Sequence, residues 1–210
     1  ICLGMMLIKT KDELRKQLDI QREKGGTVGL VPTMGALHQG HISLVKKAVA
    51  DNETVVVSIF VNPTQFNDKT DLTRYPRNLN ADLKMLENSG CDIVFAPDTN
   101  EIYPKPDTRT FDFGSLDKVM EGKHRKGHFN GVAQIVSILF DLINPEKAYF
   151  GLKDFQQLVI IKKLVNLLNL PVEIVPCPII REPGGLAMSS RNELLSPEER
   201  ENATLIYKTL

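Results

Sequence analysis

Four short stretches of this 210-residue chain concentrate the residue types that handle phosphate and carboxylate groups. The first runs Pro32-Thr33-Met34-Gly35-Ala36-Leu37-His38-Gln39-Gly40-His41 and precedes the apolar positions Leu44, Val45, Ala48 and Val49. A strand end that passes into a helix start is where open α/β sheets bind ligands, because free backbone N–H groups there attract phosphate. Gly35 and Gly40 permit close backbone approach, and His38 and His41, one turn apart, can present two imidazole donors on one side. The same residues also read as packing or surface histidines around a glycine-containing turn. A zinc pair lacks an adjacent Cys or acidic ligand at a typical spacing, although His124 and His128 could complete a His-rich set in space.

The second stretch, Ser58-Ile59-Phe60-Val61-Asn62-Pro63-Thr64-Gln65-Phe66, leaves a strongly β-branched run. Asn62 and Gln65 carry amides suited to a hydroxyl and a carboxylate, and Phe60 and Phe66 supply apolar walls; an Asn-Pro turn that only ends a strand is the plainer reading. In the third, Tyr149-Phe150-Gly151-Leu152-Lys153-Asp154-Phe155-Gln156-Gln157, Lys153 stands just before a helix start, where its cation and free N–H groups can converge on a triphosphate. The fourth is Gly185-Leu186-Ala187-Met188-Ser189-Ser190-Arg191-Asn192. Its two hydroxyls and guanidinium are mobile donors for phosphate charge, or else a polar hairpin. Glu121 to Phe129 is a local basic run that serves equally as a solvated loop or an anion gate.

Alternating helix and strand signals must position these groups, the pattern of an α/β domain with a parallel sheet. Thr10-Lys11-Asp12-Glu13 predicts a capping box with Leu14 and Leu18 behind it, and residues 27–31 predict the first core strand. Residues 54–61 are apolar on both faces and predict a central strand; 92–96, 147–150 and 172–176 predict weaker ones. Helical spacing covers 79–89, 132–143 and 155–169, with Asp154 and Gln157 as the cap of the last. Beyond Pro178 the texture turns Gly- and Pro-rich until Ser196-Pro197-Glu198-Glu199 announces another helix. The expected organisation is a Rossmann-like domain over 1–178, followed at 179–210 by the beginning of a small α/β lid domain.

The bulk composition is permissive. Twenty-six basic residues balance twenty-six acidic ones, so charge calls for no nucleic-acid partner. No run approaches the roughly 18 apolar residues of a membrane helix, and a cytoplasmic location is the default expectation. Cys2, Cys91 and Cys177, odd in number and without metal spacing, predict reduced buried thiols. Ile1 is not an initiator whereas Met5 and Met6 could be, and the helix reading from Ala203 to Leu210 runs to the last residue, so more protein is expected at the C-terminus.

His-Gln-Gly-His is similar to the HxGH signature of the nucleotidylyltransferase and class I aminoacyl-tRNA synthetase superfamily, and its context from Pro32 onward resembles the pantothenate synthetase family in particular. The resemblance extends over nearly the whole chain. It implies an ATP-dependent ligase that condenses pantoate with β-alanine through a pantoyl adenylate. It further implies pantoate contacts at Pro32, Met34, Asn62, Gln65 and Gln157. ATP contacts are implied at Met34, His38, Gly40, His41, Gly151, Lys153, Asp154, Ile180, Met188, Ser189, Ser190 and Arg191. His38, His41, Lys153, Ser189, Ser190 and Arg191 would do the catalytic work with Mg2+, and a homodimer is implied as well. Met188-Ser189-Ser190-Arg191 lacks a lysine before the serines, which departs from the tRNA synthetases and matches this narrower family. Asp82 is a candidate magnesium ligand, with an ordinary first-turn helix carboxylate as the alternative. A nucleotidylyltransferase without ligation and a noncatalytic nucleotide-binding protein are the competing readings. Neither GxxxxGK[ST] nor GxGxxG occurs, which disfavours a P-loop enzyme and a dinucleotide dehydrogenase.

Overall fold

The computed structural model describes residues 4–209; Cys2 and Leu210 lie outside them. Six parallel strands form one sheet: β1 (Met6–Ile8), β2 (Val28–Thr33), β3 (Thr54–Ile59), β4 (Ile93–Phe95), β5 (Lys147–Gly151) and β6 (Glu173–Cys177). Their spatial order is β1-β4-β3-β2-β5-β6. The helices are α1 (Lys11–Glu23), α2 (Gln39–Asp51), α3 (Lys69–Arg74), α4 (Leu79–Glu87), α5 (Thr99–Ile102), α6 (Met120–His124), α7 (His128–Ile143), α8 (Phe155–Leu168) and α9 (Pro197–Thr209). Three 3-10 turns, Pro63–Gln65, Leu152–Asp154 and Ser190–Leu194, follow β3, β5 and the Ser189 segment.

Strand alternation assigns each face its own core. Leu30, Val56, Ile93, Phe95, Ala148 and Phe150 point to one side, where they pack with Leu14 and Leu18 of α1 and the apolar faces of α7 and α8. Val31, Val55, Val57, Val94 and Tyr149 point to the other, against Val45 and Ala48 of α2 and Leu86 of α4. With helices on both faces the central strands must be apolar throughout, which explains the Val-rich composition of β3. β2 and β3 pair along their whole length, Val28 beside Thr54 through Thr33 beside Ile59. From β2 the chain proceeds to β3 on one side and returns much later to β5 on the other, so the strand order reverses between the carboxyl ends of β2 and β5. A crevice is open there.

The predicted elements hold, with the short helices α3, α5 and α6 added, β2 extended to Thr33 and the corrections that follow. The first core strand, expected at residues 27–31, is preceded by an unpredicted edge strand β1, which pairs with β4. β3 stops at Ile59, two residues short of the expected end, because the chain turns at Asn62-Pro63. α7 begins at His128, four residues early, launched from Gly127 in the left-handed region (φ 80°). Asp154 does not cap α8 with its side chain; the preceding 3-10 turn aims its carboxylate at Lys153 instead, 3.1 Å away. Two expected caps are present: Thr10 accepts from the Glu13 N–H, and Ser196 and Glu199 bond each other's backbone reciprocally. Among the described residues no helix is long and apolar enough to cross a membrane, and Cys91 and Cys177 are buried free thiols.

Candidate active site

The loop after β2 is shaped by a carboxylate. Gly35 and Ala36 both take left-handed backbone (φ 78° and 49°), which turns the Ala36 and Leu37 N–H groups onto Asp82 of α4 at 3.1 and 2.7 Å. A Cβ on Gly35 would lie 2.9 Å from that carboxylate, so only glycine fits the turn. Burial pushes the Asp82 pKa up, and the two N–H bonds oppose the shift. Asp82 therefore builds the loop. Each of its oxygens accepts one backbone N–H, the role of a structural carboxylate in the first turn of α4.

This loop delivers His38 as the N-cap of α2 and His41 as its third residue. His38 Nδ1 accepts the Gly40 N–H at 3.1 Å, while the His38 N–H donates to His41 Nδ1 at 3.2 Å, a capping box made of two imidazoles. Their ring centroids are 4.0 Å apart. Because each Nδ1 is an acceptor, the neutral rings carry their protons on Nε2. Burial, then Lys153, lowers the His38 pKa; burial, then His38, then Lys153, lowers His41 to about 3. Both rings are therefore neutral at pH 7, and each has one N–H to donate.

Across the crevice, β5 ends in the turn that carries Lys153 and Asp154, both lining the same cavity as His38 and His41. The cavity, about 460 Å³, reaches from these groups past Met34 and Gln65 to an apolar wall that includes Phe60, Val136 and Phe150. Pro32, Gln157, Ser189, Ser190 and Arg191 also line it. Arg191 is held there from outside: its guanidinium pairs with Asp71 at 3.0 Å and lies 5.6 Å from the Tyr75 ring centroid, while Ser190 Oγ is 3.3 Å from the Tyr75 hydroxyl.

Other predicted residues stand behind this lining. Asn62 is 1% exposed and its amide is spent on protein partners, including Gln65. Gly40 lies under His38, where a Cβ would meet the imidazole at 2.8 Å. Met188 and Ile180 pair by backbone at 3.0 Å in the small hairpin beside α2. Gly151 ends β5 without lining the cavity. His124 is exposed, and His128 Nδ1 is 2.7 Å from the Gln65 carbonyl. Among the described residues no three His, Cys, Asp or Glu side chains gather as a metal site, so the histidines do not converge as zinc ligands.

Sequence reasoning gave no role to Tyr103, whose hydroxyl donates to Asn62 Oδ1 at 2.9 Å, or to Gly131, whose carbonyl accepts from Asn62 Nδ2 at 3.0 Å. Neither has a local signal, since both reach Asn62 only through the fold. The repeated phenylalanines around Asn62 were the one available hint that this segment is enclosed.

Comparison with known proteins agrees over nearly the whole chain. The family model described as pantoate-beta-alanine ligase matches residues 6–210. Pantothenate synthetase of Phocaeicola vulgatus is 61% identical over 207 residues, 98% of this chain and 73% of that protein. The counterpart from Cytophaga hutchinsonii is 52% identical with coverage of 98% and 73%. Among solved structures, pantothenate synthetase from Thermus thermophilus superposes with a TM-score of 0.92 at 47% identity, covering 98% of this chain and 73% of that one. Pantoate-beta-alanine ligase from Francisella tularensis, complexed with beta-gamma ATP and beta-alanine, superposes with a TM-score of 0.91 at 39% identity, covering 98% and 78%.

Proposed function

The chain belongs to the pantoate-beta-alanine ligase family, and from that premise we propose that the crevice between β2 and β5 is where it condenses pantoate with β-alanine at the expense of ATP. The reaction passes through pantoyl adenylate. The observation that carries the assignment of the site is the meeting in one cavity of two neutral imidazoles, a lysine and a glutamine amide.

In the first step a pantoate carboxylate oxygen forms a bond to the α-phosphorus and the bond to pyrophosphate breaks. A carboxylate with pKa of about 4 is already ionised at pH 7, so no base is needed. The difficulty is bringing anions together and holding the charge that accumulates on phosphorus. His38 and His41 contribute Nε2–H donors that stay neutral, and Lys153 contributes the fixed cation. Ser189, Ser190 and Arg191 add donors from the opposite wall. Gln65 and Gln157 hold the acid, whose dimethyl carbon suits the Phe60, Val136 and Phe150 wall. In the second step the neutral amine of β-alanine attacks the acyl carbon, AMP leaves with the former carboxylate oxygen, and the nitrogen gives up one proton to water.

Magnesium supplies charge neutralisation at the phosphates when it is bound. Asp82, whose oxygens each accept one backbone N–H, is the carboxylate that would help hold the ion. The same reading takes 1–178 as the catalytic domain and 179–210 as the start of a lid that brings Ser189 to Arg191 over the nucleotide, in a cytoplasmic homodimer. The change of texture after Pro178 supports the boundary.

The test is coupled detection of pyrophosphate, AMP and pantothenate, with β-alanine omitted in one reaction. Lys153→Ala removes a partly exposed cation that, among the described residues, pairs only with its neighbour Asp154, so folding should hold while pyrophosphate release falls by roughly 100-fold or more. Release at the parent rate would remove Lys153 from the site.

A further inference from the structure

Gln65 presents an amide to the cavity, and which end it presents decides what it can bind. Asn62 settles the matter, because two of its partners have fixed polarity. The Thr64 backbone N–H, a donor only, lies 3.4 Å from Asn62 Oδ1. The Gly131 carbonyl, an acceptor only, lies 3.0 Å from Asn62 Nδ2. The Tyr103 hydroxyl adds a second donor to Oδ1 at 2.9 Å, and burial raises its pKa, so it keeps its proton. With Asn62 so oriented, Nδ2 is also the atom that faces Gln65, at 3.2 Å from its Oε1. The Gln65 oxygen is thereby turned toward Asn62. Its NH2 is left with the Met34 sulfur at 3.1 Å, a weak acceptor. The Gln65 carbonyl is pinned in turn by His128 Nδ1 at 2.7 Å.

We infer that Asn62 and Tyr103 are positioning residues that act on the acid substrate through Gln65: they lock its amide with the NH2 facing the cavity, so the site accepts an oxygen acceptor at that point and rejects a donor. The inference rests on the acid-binding role of Gln65 proposed above. Asn62 is thereby moved from a direct contact to the residue that sets the polarity of one. Tyr103, nearly forty residues from Gln65 along the chain, becomes part of the specificity of the pocket.

Steady-state kinetics on the intact chain test it. Gln65→Glu keeps the shape and replaces a donor with an anionic acceptor. The pantoate KM should rise about 100-fold, with little change in the ATP KM. Asn62→Asp still accepts from Thr64 and Tyr103 but cannot donate to Gln65, so the amide turns over; the pantoate KM should rise about 10- to 100-fold while kcat at saturation stays within a few-fold. Tyr103→Phe, the mildest change, should raise the pantoate KM by about 2- to 10-fold at unchanged ATP KM, and covers the case in which Asn62→Asp does not fold. Parent-like pantoate KM in Gln65→Glu would mean that the carbonyl faces the acid, and the inference falls. It falls as well if Tyr103→Phe and any folded Asn62→Asp keep the parent pantoate KM, or shift kcat and both KM values together. Gln65→Leu separates the two levels: unaltered pantoate affinity there would overturn the acid site itself, whereas weakened affinity with silent Asn62 and Tyr103 variants would overturn only the relay.

Discussion

Gly40 shows how one absent atom can matter more to chemistry than to folding. The His38 ring occupies the space where a Gly40 side chain would be, at 2.8 Å from an added Cβ. In Gly40→Ala the ring can swing outward cheaply, giving up the cap bond to the Gly40 N–H, which is worth about 1 kcal/mol. On the proposed assignment of His38 as a phosphate donor, adenylate formation should then fall about 100-fold. Urea denaturation alongside a pyrophosphate assay checks the split; equal small losses in both would show that the ring position is unimportant. The HxGH residues were legible from their resemblance and their one-turn spacing, whereas the capping box that the two imidazoles form was not read from the sequence. Asp154 was misread because a short 3-10 turn, which has no distinct spacing, intervened before α8. Tyr103 and His128 were not legible as supports of the amide site, since their partners Asn62 and Gln65 lie 41 and 63 residues away.

At the scale of elements, the acid site depends on how closely α7 approaches the turn after β3. Gly131 is the contact point: an added Cβ would fall 2.7 Å from Gln65 Cα and collide with the Thr64 carbonyl, both backbone. Backbone cannot move aside as the His38 ring can. Gly131→Ala should therefore cost about 3 kcal/mol, measurable as a lowered urea midpoint, and should weaken pantoate binding besides. A variant as stable as the parent would contradict this packing. The strands were readable where β-branched runs are long, as in β3. β1 has only three residues and is defined by its pairing with Ile93 to Phe95 rather than by its own composition. The start of α7 was hidden because His128-Phe129-Asn130-Gly131 contains the glycine that the tertiary contact requires and that a free helix disfavours.

Over the whole molecule, three buried and half-buried histidines tie stability to pH. His38, His41 and His128 all have folded pKa values below 6.5, with burial the largest cause in each. As pH falls through 6.5 the unfolded chain takes up protons that the folded chain refuses, so stability declines, by at most about 1.4 kcal/mol per pH unit for each ring. His41, held near 3, is the steepest contributor. Asp82 and Asp92, raised by burial, act in the opposite sense, so the prediction is best read as a difference. The parent should lose stability faster than His41→Gln between pH 6.5 and about 5 in denaturation midpoints. Parallel slopes would mean that His41 is ordinary in its proton affinity. The parallel α/β class was evident from the alternation of elements, and so was the gathering of candidate residues at strand ends. The lateral order of the strands was not, because it is fixed by crossover connections that leave no mark on local composition.

That order has a consequence for a chain emerging from the ribosome. β2 has β3 as one neighbour soon after it is made, but its other flank waits for Gly29 and Leu30 to meet Lys147 and Ala148. Until more than a hundred further residues have been translated, a flat apolar strand shows an unpaired row of peptide groups to its surroundings. The architecture that brings two distant loops together into one crevice thus leaves the nascent protein with an adhesive flank for a long stretch of its synthesis.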